Sequence, residues 1–501
     1  MRKLVTSTAL VGTSSLFGVL TAVLRNKLLA VFVGAVGIGL LAQIGNFLNV
    51  LSALASMGIS VGMAKYVAEF SSCADHLSLG RLRRSGAVVS WIASSVAVLI
   101  AWGFSARIAT LLFGRPELAW TVAVSVLAVP LLVQVSFHLA IMQGLKQMRQ
   151  YALANALASA LGLLVLFPLV YFLKFNGAVI HLVAAGILSY LVVYLVSRRL
   201  SSAFFQKAHA KFDAVLTKGL LRYGASSLAV GAVYWINLLA VRSVIVHRLG
   251  ADANGLYQVA LGISFQYLML ILNSISTYAF PRLSELKEKG SIVEELRGSI
   301  RLSILLVTAC ASMFLLVRQW LIPVLFTREF LGAQNILPVQ FVSDFLKATA
   351  WMIGIWLLPQ GRLKVWVSLD LVMNVVLMVG FLFLLGRTEH LGPLALLAAP
   401  VAHCFAHLLH CVVNYGYSRR SIGFSFGGPL RSLLLRSFLL IVVCGILPFV
   451  YGILPFGNAL LVLAGFGLVA LWARFSVSPQ EARVGLAVAR EKLTQLLGPR
   501  S

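Results

Sequence analysis

The sequence contains few charged residues, and this scarcity excludes a soluble protein. Only 11% of its 501 residues are charged, against roughly a quarter in soluble globular chains. Acidic residues are the scarcest, with 15 Asp and Glu against 41 Lys and Arg. Apolar runs of about 20 residues recur from end to end, each long enough to cross roughly 30 Å of hydrocarbon. No polar segment is long enough to form a separate soluble domain, so we predict an all-α, polytopic membrane protein.

Cysteines and acidic loop residues are also scarce, which argues against a disulfide-bonded protein and against an enzyme. None of the five cysteines falls in a loop predicted to lie outside, so no disulfide framework is implied. Membrane-embedded glycosyltransferases and ligases need catalytic groups on sizeable loops. The outer loops here are short and contain no acidic pair. We therefore predict a protein that is not an enzyme and that has no metal or cofactor.

The net charge of +26 reflects membrane orientation and not nucleic-acid binding, because no basic face is free of membrane. With an even number of spans, both termini lie on one side. The loops on that side hold 30 of the 41 Lys and Arg residues, and the opposite loops hold 6. This bias predicts cytoplasmic termini.

We predict fourteen spans, at roughly 4–30, 38–64, 85–112, 118–143, 151–173, 178–197, 222–247, 255–280, 300–326, 333–358, 364–386, 391–416, 432–453 and 456–475.

An internal repeat relates the two halves of the chain. Gly34–Leu40 matches Gly250–Leu256 at the two Gly-Ala and Gly-Leu pairs, with an offset of 216 residues. Six spans separate the copies, so they share one orientation and form a parallel repeat, as in several transporter folds. The predicted domains are two six-helix lobes, two additional helices and an amphipathic cytoplasmic tail that begins with a capping box, at 1–210, 211–420, 421–476 and 477–501.

Cationic residues lie inside the apolar spans at nearly matching places in the two repeats. Arg25 and Lys27 are in the first span, and Arg242 is in the seventh. A charge inside a bilayer is expensive and marks a functional site by default. One alternative is that Arg25 and Lys27 extend to the nearer membrane surface. The duplicated position favours a positive cavity for an anionic substrate, since arginine offers a two-pronged donor for phosphate.

The tenth to twelfth spans carry further ionisable residues. Asp344 and Lys347 are three residues apart, so they share a helix face and can pair, and Asp370 follows in the next span. These three residues are either a structural cluster or a gate that couples transport to an ion gradient. In the twelfth span, three histidines and two cysteines leave ordinary packing, a proton-linked role and a metal site open, namely His403, Cys404, His407, His410 and Cys411.

Three stretches of the sequence are specific enough to indicate a family, namely Asn26–Ala30 with Gly34 and Gly39-Leu40, Val241-Arg242 with Gly255–Gln258, and Gln340–Lys347 leading to Asp370. With them, over about residues 5–416, the sequence resembles the Wzx-type polysaccharide flippases of the multidrug/oligosaccharidyl-lipid/polysaccharide exporter superfamily. The resemblance implies two six-helix lobes in a V around a central cavity. It also implies movement of an undecaprenyl-diphosphate-linked oligosaccharide, such as an O-antigen unit of lipopolysaccharide, to the periplasmic leaflet.

The same resemblance leaves the substrate and the partners open. It implies a monomer in the bacterial inner membrane, alone or beside polysaccharide polymerase machinery, and coupling to a proton or sodium gradient. The two extra C-terminal spans are similar to those of peptidoglycan lipid II flippases, which share an Arg at the position of Arg25. Cation-coupled multidrug exporters of the superfamily are the other alternative. They usually place a carboxylate in the first or seventh span, where this chain has Arg25, Lys27 and Arg242.

Overall fold

The computed structural model describes residues 2–73, 75–200, 211–450 and 457–477, which form α-helices and short 3-10 helices with no β-strand among them. The predicted cytoplasmic tail, 477–501, lies outside these residues except for its first position. The α-helices in chain order are α1 (Arg2–Ser56), α2 (Ile59–Ser72), α3 (His76–Gly103), α4 (Ser105–Phe113), α5 (Ala119–Ser125), α6 (Val129–Gly144), α7 (Met148–Leu200), α8 (Ala214–Leu249), α9 (Ala251–Glu285), α10 (Lys289–Leu325), α11 (Leu337–Gly354), α12 (Leu363–Thr388), α13 (Ala398–Ile422), α14 (Gly427–Val450) and α15 (Gly457–Ser476).

The apolar segments confirm the predicted all-α, polytopic fold. Within the described part of the chain, nine helical segments are long and apolar enough to cross a membrane. Some hold two predicted spans, since Met148–Arg199 has 52 residues and Leu363–Ile422 has 60. At about 1.5 Å per residue, either is more than twice as long as one crossing requires. α7 is broken at Lys174, where φ is 48° and ψ is −122°, between the predicted fifth and sixth spans.

A single residue separates the first two spans. α1 is helical on both sides of Gly34, whose φ of 69° and ψ of −173° interrupt it. Glycine adopts this backbone conformation without the steric penalty that a Cβ brings. The break leaves the N–H of Ala35 without an intrahelical acceptor, and the Glu329 carboxylate accepts it at 2.9 Å. The glycine-rich segment from Gly34 to Gly39 is therefore helical apart from Gly34 itself.

The third span begins earlier than the sequence analysis predicted. α3 starts at His76 and not near residue 85, because the Asp75 side chain accepts a hydrogen bond from the Ser78 N–H at 3.0 Å and caps the helix. Hydrogen bonds from Ser78 also hold the pKa of the Asp75 carboxyl below its usual value. As a result, Arg83 and Arg84 lie on a helix and not in a loop.

The chain packs into two compact units. The first comprises Met1–Val259, Ile322–Ala333 and Phe381–Ala398, and the second comprises Ala260–Leu321, Gln334–Gly380 and Ala399–Ser501. In the first unit, α1 packs against α6, α7 and α8. In the second, α14 packs against α11 and α15. The division into lobes at 1–210 and 211–420 stays a prediction. It was based on the internal sequence repeat, whereas the two compact units are defined by which segments pack together.

Equivalent glycines of the two repeats cross at van der Waals distance inside the first unit. A Cβ at Gly39 would lie 1.9 Å from the Ala251 carbonyl oxygen, and a Cβ at Gly255 would lie 2.2 Å from that of Ala35. Both Gly39 with Gly255 and Ala35 with Ala251 are equivalent at the offset of 216 residues. The Asn254 amide also donates to the Gly39 carbonyl oxygen at 2.7 Å. The repeated glycines therefore let the two backbones approach, as small residues do in membrane helices.

Candidate functional site

Arg25 lines a polar cavity of about 250 Å³ in the first unit. The cavity lies between the first half of α1, α6 and both halves of α7, and no Asp or Glu lines it. The Arg25 side chain is exposed and makes no hydrogen bond or ion pair with the described residues. Its guanidinium donors are therefore available to a ligand. The other polar side chains that line the cavity are Thr21, Asn155, Ser159, His181 and Ser189.

The neutral groups of this cavity are mostly bound to the protein itself. Thr21 donates to the Gly18 carbonyl oxygen at 2.9 Å, and the Asn155 amide donates to that of Tyr151 at 3.0 Å. The His181 Nε2 lies 2.9 Å from the Gly162 carbonyl oxygen, which can only accept, so this nitrogen carries the proton. The Arg25 guanidinium therefore has unused hydrogen-bond donors, whereas most of the neutral side chains around it already have hydrogen-bond partners in the protein. The cavity is suited to an anion.

Lys27, two residues further along α1, has different surroundings. Its Nζ donates to the carbonyl oxygen of Pro323 at 2.7 Å and to that of Phe326. Both carbonyls belong to the end of α10, where the last carbonyls have no intrahelical partner and carry partial negative charge. Lys27 therefore caps a helix in this structure. It does not line the Arg25 cavity.

Arg242 is buried, with 2% of its surface exposed. Its Nη2 donates to the Gln258 side-chain oxygen, and its guanidinium lies over the Tyr257 ring, 5.5 Å from the ring centre. Its Nε and Nη1 have no hydrogen-bond partner among the described residues. A buried cation without a carboxylate is costly, so Arg242 is energetically poised to accept an anion or polar group. It does not line the Arg25 cavity either, so of the three predicted cations only Arg25 is found there.

Asp344 lies at the centre of a hydrogen-bonded cluster in the second unit, with 2% of its surface exposed. Ser264 donates to it at 2.7–2.8 Å, Gln340 at 3.1 Å and Tyr267 at 3.0 Å. These donors are neutral, so hydrogen bonds replace the hydration that the buried carboxyl loses. Ser264 and Tyr267 were not predicted as part of this site. Their spacing of three residues on α9 places them on one helix face, which is a weak signal for a shared partner.

Of the other two predicted coupling residues, Lys347 lies on α11 together with Asp344, and Asp370 lies on α12. The Lys347 ammonium is 5.7 Å from the centre of the Phe265 ring. Asp370, on α12, accepts a long hydrogen bond of 3.5 Å from the Asn374 amide. The role of Asp344, Lys347 and Asp370 in coupling stays a prediction.

The two cysteines of the histidine-rich span make hydrogen bonds to main-chain oxygens of the adjacent helix α11. The thiols of Cys404 and Cys411 lie 3.5 Å and 3.1 Å from the carbonyl oxygens of Val339 and Leu346 on α11. His403 Nδ1 lies 2.8 Å from the Ala399 carbonyl oxygen of its own helix. No group of three or more possible metal ligands is found among the described residues. Of the three alternatives for this span, the contacts favour packing.

The fold and its long apolar helices define a multi-spanning helical membrane protein. The chain belongs to the family described as "Polysaccharide biosynthesis protein", whose sequence pattern matches residues 4–287. It is 26% identical over 371 residues to the "Lipid III flippase" of Escherichia coli (strain K12). The aligned region covers 73% of this chain and 88% of that protein.

Solved structures share this fold at low sequence identity. An inward-facing multidrug resistance MATE family transporter of the MOP superfamily matches with a TM-score of 0.68 and 16% identity, over 84% of this chain and 96% of that one. The lipid II flippase MurJ, in an inward closed conformation, matches with a TM-score of 0.66 and 12% identity, over 94% and 98%. The family match confirms the resemblance that the sequence indicated, and these structures share the fold.

Proposed function

We propose that this protein is a flippase for a lipid-linked glycan, which it moves between the two leaflets of the bacterial inner membrane. The observation that carries the proposal is Arg25, an exposed cation with unused donors in a polar cavity without carboxylates. An arginine fork matches the oxygens of a diphosphate, the group that joins a glycan to its polyprenyl carrier. The E. coli relative, a lipid III flippase, supports the same substrate class.

The charge of the cavity argues against a multidrug exporter, the alternative that the MATE fold raises. An exporter of organic cations needs a negative group at its binding site. Here Arg25 is the charged residue of the cavity, and its field repels cations. The proposal extends to an undecaprenyl-diphosphate-linked oligosaccharide carried to the periplasmic leaflet by alternating access, and an O-antigen unit is our first candidate.

Binding of undecaprenyl diphosphate to the purified protein tests the proposed substrate class. We expect the wild-type protein to bind this lipid, and Arg25→Gln to weaken binding about tenfold, because a charge-assisted hydrogen bond contributes roughly 1.5–3 kcal/mol. Undecaprenol, which lacks the diphosphate, is the matched control and should bind both proteins equally weakly. Equal binding of undecaprenol and its diphosphate would reject the proposal.

The orientation gives a prediction that is independent of the substrate. The 30-to-6 bias of Lys and Arg between the two sets of loops predicts that both termini and the segment from Arg198 to Lys218 are cytoplasmic. Reporter fusions at Ser201 and Ser501 should therefore be active only with a reporter that works in the cytoplasm. Activity of a periplasmic reporter at either position would rule out the fourteen-span topology.

The Asp344 cluster gives a prediction about energy coupling. Protonation of a carboxylate changes its hydrogen bonds and can bias a two-state equilibrium. Asp344→Asn should therefore remove most of the transport that an imposed proton or sodium gradient drives, while binding of undecaprenyl diphosphate stays near normal. Asp370→Asn tests the second carboxyl in the same way.

Charge exchange separates coupling from a structural role in this cluster. If the charges of Asp344 and Lys347 are merely structural, Asp344→Lys combined with Lys347→Asp should recover part of the loss. Full gradient dependence in both Asn variants, measured in vesicles, would show that Asp344 and Asp370 do not couple the gradient to transport.

A further inference from the structure

A second cavity of the first unit, of about 300 Å³, lies between α3, α6 and the second half of α7. It shares no lining residue with the Arg25 cavity. The basic residues Arg83 and Arg84 line it from α3, and the aromatic side chains around it are Trp91, Phe137, Tyr190 and Tyr194. Two arginines beside several aromatic rings, inside a membrane protein, make a distinct binding environment that the proposed transport step does not use.

The floor of this cavity is preorganised. Gln134, which is buried, donates to the Ser90 hydroxyl at 3.0 Å. His138 Nδ1 lies 3.3 Å from the Ser197 hydroxyl, and its ring packs edge-on against Tyr194, with the ring centres 5.5 Å apart. These contacts fix the polar floor before a ligand arrives, which lowers the entropic cost of binding.

Apolar residues beside this cavity are exposed on the surfaces of α3 and α7. Val88 and Ile92 on α3 are exposed four residues apart, and so are Ile187, Leu191 and Leu195 on α7. Exposed apolar stripes with this spacing on membrane helices are covered by acyl chains. Val88 and the exposed Trp91 belong both to the α3 surface and to the lining of the cavity. The cavity is therefore accessible from the bilayer.

The position along the helices fits the level of the lipid headgroups. Tyr194 is one turn before Arg198 and Arg199, the exposed basic pair near the end of α7. Tyr and Trp concentrate at the membrane surface, and basic pockets between helices on the cytoplasmic side hold anionic headgroups. The charge bias of the loops places this end of α3 and α7 on the cytoplasmic side.

We propose that this cavity binds the phosphodiester of an anionic phospholipid from the cytoplasmic leaflet. Arg83 and Arg84 contact the phosphate oxygens, and Tyr190 and Tyr194 pack beside the headgroup. The acyl chains lie along the exposed apolar residues of α3 and α7, which include Val88 and Leu191. The chemistry is that of a lipid phosphate, which the membrane phospholipids and the polyprenyl diphosphate share. The experiment below distinguishes these two sources. The assignment to a leaflet rests on the proposed topology, and the site itself is independent of the proposed function.

Lipid binding to the full-length purified protein, measured by native mass spectrometry, tests the proposal. We expect phosphatidylglycerol to bind more tightly than phosphatidylethanolamine, whose headgroup has no net charge. Arg83→Gln with Arg84→Gln should weaken phosphatidylglycerol binding about tenfold or more, from the loss of charge-assisted hydrogen bonds. Arg198→Gln with Arg199→Gln removes two exposed charges outside the cavity and should leave this binding within about twofold, as exposed charges contribute little. If the double variant in the cavity does not fold, Arg84→Gln alone is the substitute, since Arg84 is exposed.

Two results would overturn the proposal. An equal loss in the Arg198 and Arg199 control would mean that the lipid responds to general surface charge. If undecaprenyl diphosphate displaces phosphatidylglycerol from the wild-type protein, and if its own binding is weakened in the Arg83 and Arg84 variant but not in Arg25→Gln, the cavity belongs to the transported lipid. If undecaprenyl diphosphate does not displace phosphatidylglycerol and binds normally to the Arg83 and Arg84 variant, the cavity is a phospholipid site.

Discussion

Replacement of Arg25 by glutamine should lower transport of the lipid-linked glycan about tenfold or more, because a charge-assisted contact contributes roughly 1.5–3 kcal/mol. Glutamine keeps much of the side-chain length and removes the charge. Arg25 makes no hydrogen bond to the described residues, so its loss leaves no partner unsatisfied, and we expect normal folding. The measurement is complementation of a flippase-deficient strain at low expression, with the amount of folded protein determined in parallel.

Lys27→Gln is the matched control for this prediction. It removes one positive charge two residues away, but Lys27 is bound to the carbonyl oxygens of Pro323 and Phe326 at the end of α10. We therefore expect a smaller loss of transport. Arg242→Gln should also impair transport, because Arg242 is a buried cation with unpaired donors. Near-normal complementation by the double variant of Arg25 and Arg242 would mean that neither residue holds the diphosphate.

Substitution of Gly39 by alanine or valine should prevent stable packing of the first unit. A Cβ at Gly39 would lie 1.9 Å from the Ala251 carbonyl oxygen, and main-chain atoms cannot rotate away as a side chain does. Overpacking in a tight interior typically costs 1–3 kcal/mol, and a clash with backbone is at the upper end. We expect a strong loss of monodisperse protein after size-exclusion chromatography, and a lower Tm in what remains.

Gly45 provides the control for this clash. It lies in the same half of α1, and a Cβ there would meet no atom within 4 Å. Gly45→Ala should keep or raise stability, since alanine is favoured over glycine in a helix by about 0.5–1 kcal/mol. If Gly39→Ala is as stable and as monodisperse as Gly45→Ala, the backbones at Gly39 and Ala251 do not approach as closely as the structure places them.

The apolar runs were sufficient to predict the fold, but helix ends and side-chain partners depend on local and distant contacts that composition does not show. The sequence predicts the third span only from residue 85, because basic residues such as Arg83 and Arg84 favour loops at the membrane surface. The capping Asp75 overrides that signal, and it could have been recognised from its place before a long apolar run. Glu329 and Asp344 have partners far along the chain, which no local pattern reveals.

Arg25 and Arg242 show why matching positions in a repeat do not guarantee matching surroundings. Arg25 is nine residues before its Gly-Ala pair, and Arg242 is eight residues before the equivalent pair. One residue turns a side chain by about 100° around the helix axis, since an α-helix has 3.6 residues per turn. Arg25 consequently lines a cavity, while Arg242 packs on Tyr257. Spacing alone could not fix the direction in which each side chain points.

Translocation in proteoliposomes tests the central claim most directly. The purified protein is reconstituted with a fluorescent undecaprenyl-diphosphate-linked oligosaccharide in one leaflet, and its appearance in the other leaflet is followed over time. We predict rapid translocation by the wild-type protein, about tenfold slower translocation by Arg25→Gln, and none of a fluorescent phosphatidylethanolamine. Translocation of neither lipid, together with gradient-driven uptake of an organic cation, would contradict the account and identify a drug exporter instead.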